Sequence, residues 1–123
     1  MQQIHRVIGF AIVGGFLVLF VWGLVLWLRK RLPGEWYWRL LAVLQVSVVL
    51  QLVAGVVLLL LGGTQPLLHY LYGALFPGIA LVVAHVLGRG MEQERDALLI
   101  FSIVAFVCFG LSLRALATGL GLP

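Results

Sequence analysis

Charged side chains are scarce in this chain. Of its 123 residues only 10% are aspartate, glutamate, lysine or arginine, whereas 63% are hydrophobic. A soluble domain of this length has too little interior to hide so many apolar side chains. The composition therefore excludes a water-soluble globular protein and predicts that the lipid bilayer is the solvent of most of the chain.

The sequence also lacks the groups that carry hydrolytic or transport chemistry. It has no serine–histidine–aspartate set, no metal-ligand spacing and no nucleotide-binding loop. Its four acidic residues lie outside the apolar runs, which excludes a small multidrug antiporter with an acid inside the membrane. The single cysteine, Cys108, cannot form an intrachain disulfide. The basic residues cluster at the ends of the apolar runs, so the net charge of +4 gives no indication of nucleic-acid binding.

Four apolar segments reach the roughly 20 residues that a helix needs to cross a bilayer. They cover about residues 4–28, 39–61, 67–87 and 97–116. The first is too long for a signal peptide and runs on into Arg29-Lys30-Arg31, so it is interpreted as a retained span. Because the connections are short, neighbouring helices should be antiparallel. The predicted fold is all-α, a single transmembrane domain over residues 1–123 that forms an up-down-up-down four-helix bundle.

Basic residues predict how this bundle is oriented. The first and third connections, with their flanks, contain six of the eight lysines and arginines, and the opposite face contains Arg6 and Arg114. By the positive-inside rule, these two connections lie in the cytoplasm and both termini are extracytoplasmic. The expected location is the inner or plasma membrane of the cell, which the chain crosses four times.

Two histidines open apolar segments at matching places, His5 in the first segment and His69 in the third. Each is followed four residues later by a glycine, Gly9 or Gly73. In the predicted bundle these segments run in the same direction, so both imidazoles lie at one depth near the extracytoplasmic face. Two neutral imidazoles are the axial ligands that a six-coordinate haem needs. The alternative is two interfacial histidines that bind headgroups, water or a partner subunit.

Small and aromatic residues follow these histidines. Gly9 and Gly73 each lie one helical turn from their histidine and would let a flat macrocycle approach the backbone, although glycines also permit close helix packing without any cofactor. Tyr72 and Phe76 flank the His69 stripe and are expected to wall a porphyrin. Pro77 frees the carbonyl of Gly73 and is expected to kink the third helix.

The remaining polar residues have two interpretations each. Arg6 and Arg114 reach the same membrane boundary and are candidates for pairing with haem propionates, the alternative being interfacial snorkelling. His85 lies about 24 Å further along the helix than His69 and is interpreted as structural or interfacial, or as a ligand in an oligomer. Gln51 is interpreted as a hydrogen-bonding group between helices, and a contact to haem or quinone stays open.

Short motifs resemble those of one known family. The segment Ile4-His5-Arg6-Val7-Ile8-Gly9 is similar to the His-Arg helix of the haem A synthase family. Leu44-Gln45 through Gln51-Leu52-Val53-Ala54-Gly55 resembles that family's next helix, and the opening Pro66…His69 resembles its following histidine helix. Members are built from two four-helix halves, each with paired histidines for a haem near the outer face. The resemblance, over about three helices, implies that His5 and His69 are axial ligands.

The sequence departs from that family in front of His5. The family has an acidic residue one turn before its His-Arg pair, tied to oxidation chemistry, whereas Gln2, Gln3 and Ile4 stand here. Helix order also differs, and only one four-helix half is present.

The expected function is that of a membrane-embedded b-type haem protein with bis-histidine ligation, which transfers electrons at the extracytoplasmic face. Its partners would be membrane lipid and a quinol or an extracytoplasmic cytochrome, in a homo-oligomer or as a subunit of a membrane redox complex. The alternatives are a structural or assembly subunit of a larger membrane complex, and a haem-modifying protein like haem A synthase.

Overall fold

Helices make up almost all of the chain. The computed structural model describes residues 2–63, 65 and 67–120. Its helices are α1 (Gln2–Leu28), α2 (Glu35–Leu60), α3 (Leu67–Tyr70), a π-helical turn (Leu71–Leu75), α4 (Phe76–Arg89) and α5 (Glu94–Gly119). The short α3, the π turn and α4 follow one another without a break, and together they are called the third span. No strand occurs among the residues described, and the prediction of an all-helical chain is confirmed.

Four of these helical stretches are long and apolar enough to cross a membrane. They are Gln3–Leu28, Glu35–Leu60, Leu71–Arg89 and Glu94–Gly119, and each contains an 18-residue window with a mean hydropathy of 1.8 to 2.5. The prediction of four helices long and apolar enough to span a membrane is therefore confirmed. The helices extend beyond the predicted apolar segments because backbone hydrogen bonding continues into the polar flanks. Acidic residues in the first turns of α2 and α5 favour these extensions, since they face the positive ends of the helix dipoles.

The third span changes from α-helical to π-helical geometry just before Pro77. Pro77 has no N–H to donate to the carbonyl of Gly73, four residues earlier. The helix adapts with the π turn, at whose end the N–H of Phe76 donates to the carbonyl of Leu71, five residues back. A π turn places one more residue in the helical turn than an α-helix does. The sequence predicts a kink at Pro77, and the structure has a π turn directly before it.

The helices pack in an open ring. Among the described elements, α1 packs against α2 and α5, the third span packs against α5, and α2 approaches the third span only at the π turn. Fully buried side chains come from all four long helices: Phe16 and Leu19 on α1, Tyr37 on α2, Ala84 on α4, and Leu98 and Cys108 on α5. A gap is therefore left between α2 and the third span over most of their length.

Aromatic side chains join the helices at one end of the ring, which we call the aromatic end. The indole of Trp38, at the start of α2, donates to Glu94 at the start of α5 over 3.1 Å. The guanidinium of Arg95 lies 5.0 Å from the centre of the Trp27 ring, near the end of α1. These contacts bring the end of α1 and the starts of α2 and α5 together.

Large apolar side chains cover the outside of the helices. Val7 on α1, Val43 on α2, Val82 on α4 and Phe106 on α5 are each more than half exposed. A surface of this kind is stable only where lipid or another protein covers it. The structure thus supports a membrane protein.

Candidate functional site between two histidines

The two histidines singled out by the sequence lie side by side at the end of the ring opposite the aromatic end. His5 stands in the second turn of α1 and His69 in α3. Their ring centres are 6.2 Å apart, and the ring planes are inclined at 66°. Residues separated by 64 positions in the chain are therefore brought within reach of one small ligand.

Contacts from α5 fix the ring of His69. Its Nδ1 lies 2.9 Å from the carbonyl oxygen of Ala115 and 3.4 Å from the hydroxyl of Thr118, which itself donates to the same carbonyl. A carbonyl oxygen only accepts, so Nδ1 must carry the hydrogen. The lone pair of the neutral ring is then on Nε2, the nitrogen that is left to bind a ligand.

Gly119 makes room for this ring. A Cβ atom at Gly119 would lie only 2.8 Å from Cε1 of His69 and 3.2 Å from its Nδ1. Any larger residue would push the imidazole away from Ala115. The end of α5 is thus shaped around His69.

The ring of His5 has fewer hydrogen-bond partners than the ring of His69. Its backbone carbonyl accepts a hydrogen bond of 2.7 Å from the side-chain amide nitrogen of Gln51, on α2. Nδ1 of His5 and Oε1 of Gln51 are both buried, and neither has a hydrogen-bond partner among the described residues. Buried polar atoms without partners are uncommon in folded proteins, so this pair indicates a place where a ligand or a rearrangement satisfies them.

A cavity of about 410 Å³ begins at the two rings and extends inward to Phe16, Pro77 and Cys108. This volume is within the range of cavities that bind small molecules, and a mostly apolar wall with few polar groups is typical of such sites. The polar side chains on its wall include His5, His69 and Gln51. The cavity is therefore suited to an apolar ligand with a few polar groups.

The other predicted site residues divide into two groups. Arg6, Gly9 and Gly73 line the cavity. Arg6 is exposed, so its guanidinium can pair with an anionic group at the rim.

Arg114, Tyr72 and Phe76 are not part of the cavity wall. Arg114 is an exposed residue of α5. The rings of Tyr72 and Phe76 pack against each other at 5.8 Å. The roles suggested for these three residues stay predictions.

Several residues of the site were not anticipated from the sequence. Ala115 and Gly119 carry the His69 contact on α5, and Gly55 faces His5 from α2, with a Cβ position 3.4 Å from Cε1 of that histidine. Ala115 and Gly119 have the same spacing of four residues between small side chains that marks close helix contacts elsewhere. That spacing is the signal that could have identified them.

His85 is not part of this site. It is exposed, its Nε2 lies 2.5 Å from Oε1 of Gln45, and its ring lies 5.1 Å from that of Phe101. The side-chain bond to Gln45 crosses the gap between α4 and α2. This contact supports the interpretation of His85 as a structural residue.

The described residues contain no group of three or more histidine, cysteine, aspartate or glutamate side chains that could hold a metal ion. A metal at the paired histidines would have to bring most of its ligands with it, as the iron of a porphyrin does. Comparison of the chain with known proteins finds no matching family model, no similar curated protein and no similar solved structure.

Proposed function

We propose that this protein is a membrane-embedded electron carrier that binds one haem b between His5 and His69. The observation that carries the proposal is the separation of the two rings. Metal–nitrogen bonds of about 2 Å, as at zinc-bound histidine, with about 1.1 Å from each nitrogen to its ring centre, put the ring centres of two opposed axial ligands about 6 Å apart. In the structure the two ring centres are 6.2 Å apart.

Hydrogen bonding around His69 supports this assignment. Metal-bound histidines generally donate their second N–H to a carbonyl or carboxylate, which fixes the tautomer and orients the ring. The bond from Nδ1 of His69 to the carbonyl of Ala115 has this form and leaves Nε2 as the ligating atom. Nδ1 of His5 is buried and has no hydrogen-bond partner among the described residues, so this ring lacks the second contact that His69 has.

The cavity wall fits the remaining parts of a haem. Gly9 and Gly73 lack the side chains that would obstruct a flat macrocycle, and the deeper wall is apolar around Phe16 and Pro77. Arg6 at the rim supplies a cation for a propionate. Two protein ligands are sufficient because the porphyrin supplies the other four nitrogens.

The type of ligation favours electron transfer over oxygen chemistry. When both axial positions are held by histidine, the iron has no open coordination site. The protein's own contribution is then to hold the two imidazoles, exclude water and set the electrostatic surroundings. When bound, the haem supplies a one-electron redox couple.

Membrane topology decides which partners can reach the site. We propose an up-down-up-down bundle with both termini extracytoplasmic, supported by the excess of basic residues in the first and third connections. The histidines then lie near the outer face of the membrane. A quinol in the bilayer or an extracytoplasmic cytochrome could exchange electrons there, with this chain as a homo-oligomer or a subunit of a redox complex.

Absorption spectra of the detergent-purified protein test the proposal. After expression with ample haem supply, we expect a sharp reduced α-band and a pyridine haemochrome of haem b, both greatly weakened in His5→Ala and in His69→Ala. His85→Ala is the matched control because it removes a histidine outside the cavity, and it should keep the spectrum. A wild-type protein that takes up no haem would overturn the proposal and favour a structural or assembly subunit.

A further inference from the structure

We infer that Gln51 is a positioning residue for His5, whose Nδ1–H it accepts at its amide oxygen. The purpose of this hydrogen bond, to direct Nε2 of His5 at the haem iron, rests on the proposed function. The hydrogen bond itself is a property of this chain and can be tested without haem.

The orientation of the Gln51 amide follows from its contact with α1. The side-chain nitrogen lies 2.7 Å from the backbone carbonyl of His5. A carbonyl accepts but never donates, so the NH₂ group must be the one that faces it, and the amide cannot be flipped without losing this bond. The amide oxygen is thereby left with both lone pairs free for a donor.

The two unpartnered atoms of the site complement each other. Oε1 of Gln51 is a buried acceptor, and Nδ1 of His5, when protonated, is a buried donor; neither has a partner within the described residues. The amide nitrogen is already bonded to the backbone of His5, so both unpartnered atoms belong to one contact between α1 and α2. A buried polar atom without a partner is unfavourable, and a bond between these two atoms would satisfy both.

Glycines leave the two side chains room to meet. A Cβ at Gly9 would lie 3.3 Å from the amide nitrogen of Gln51, and a Cβ at Gly55 would lie 3.4 Å from Cε1 of His5. Neither glycine carries that atom. A modest rotation of the imidazole and the amide is therefore unobstructed on these sides.

The proposed bond gives His5 the arrangement that His69 already has. Nδ1 of His69 donates to the carbonyl of Ala115, and Nδ1 of His5 would donate to the amide of Gln51. Both rings then present an unprotonated Nε2 to the cavity. Partners of this kind fix ring orientation and raise ligand basicity.

The rival explanation is that Gln51 only ties α2 to α1 through the carbonyl of His5. Two substitutions separate the explanations. Gln51→Glu keeps an oxygen acceptor but loses the donor to that carbonyl, whereas Gln51→Leu loses both at similar volume. If Gln51 only links the two helices, both variants lose the bond to the His5 carbonyl and should behave alike. If Gln51 positions the His5 ring, Gln51→Glu keeps the acceptor for Nδ1–H and should behave like wild type. Gln45→Leu is the matched control, since Gln45 is the other glutamine of α2 that bonds to a histidine.

Nitrogen NMR of the haem-free protein, labelled at histidine and held in detergent micelles, decides the hydrogen bond. We expect His5 as the Nδ1–H tautomer in wild type, in Gln51→Glu and in Gln45→Leu, and a mixture of tautomers in Gln51→Leu. An Nε2–H tautomer of His5 in wild type overturns the inference even when no variant folds. So do identical His5 signals in wild type and Gln51→Leu.

Haem titration of the same samples then tests the purpose of the bond. Loss of an outer partner of a metal-bound histidine typically weakens metal binding about 10–100-fold, and we expect this loss in Gln51→Leu. Gln51→Glu should bind haem with a reduction potential below that of wild type, because a carboxylate is a stronger acceptor. A wild-type protein that binds no haem overturns the proposed function, whereas the NMR result still decides the bond.

Discussion

Replacing Gly23 by alanine tests how closely the three helices meet near the aromatic end. Gly23 lies on α1 where α2 and α5 both approach it. A Cβ there would stand 2.9 Å from Cβ of Ser102 and 3.0 Å from the hydroxyl of Tyr37, and still closer to the hydroxyl of Ser102. The same two hydroxyls form a buried hydrogen bond of 3.0 Å between α2 and α5. One added methyl group therefore has to displace both partners of this bond.

The expected loss of stability follows from these contacts. Overpacking of a well-packed core costs about 1–3 kcal/mol, and loss of the Tyr37–Ser102 bond adds about 1 kcal/mol. The higher helix propensity of alanine stabilises the helix by at most about 1 kcal/mol relative to glycine. We therefore expect Gly23→Ala to lower the free energy of unfolding by about 1–3 kcal/mol, with the balance dominated by overpacking.

Gly14→Ala is the matched control, because Gly14 lies on the same helix and a Cβ there meets nothing within 4 Å. Reversible unfolding in mixed micelles, followed by tryptophan fluorescence, measures both variants. We expect Gly14→Ala to equal or slightly exceed wild type. Adding Ser102→Gly to Gly23→Ala should recover part of the loss by removing the obstructing atoms. Equal stability of Gly23→Ala and Gly14→Ala would refute the close approach at Gly23.

Three further outcomes are expected. Gly119→Ala should displace the His69 ring and weaken haem binding about tenfold, as loss of an outer partner does. Gly110→Ala is its control, because a Cβ at Gly110 meets nothing within 4 Å. Haem titration should show that this control binds haem as wild type does. Tyr37→Phe should lower the unfolding free energy by about 1 kcal/mol, the value of one buried hydrogen bond, in the same fluorescence assay. A phosphatase that is active only outside the cytoplasm should be active when fused to the C-terminus, and an inactive fusion would contradict the proposed orientation.

The number and approximate position of the long helices were predictable because the apolar runs indicate them. Each span needs about 20 apolar residues, and the sequence supplies four such runs. The order in which helices pack was not predictable, because nearly every face of every helix is apolar. In a bilayer, close packing is decided by small residues such as Gly23 and by individual polar contacts.

The residues that line the cavity near His69 were only partly predictable from the sequence. A regular α-helix places Tyr72 and Phe76, three and seven positions on, along the His69 stripe. The π turn adds a residue to that turn and rotates the later part of the helix by about 100°, the angle of one α-helical residue. Gly73 lines the cavity as predicted, but Ala74 and Pro77 do so in place of Tyr72 and Phe76. The proline was visible in the sequence, but its accommodation by a π turn was not.

The two ends of the helix ring have different roles, one in holding the helices together and the other in the candidate site. At the aromatic end, Tyr37, Trp38 and Arg95 have partners on neighbouring helices. At the opposite end, glycines replace side chains and His5 and Gln51 retain unpartnered buried atoms. We therefore expect the contacts at the aromatic end to form whether or not the site is filled. Substitutions at the histidines should change ligand binding while the contacts of the aromatic end maintain the bundle, which is why spectra and unfolding measurements on the same variants separate function from stability.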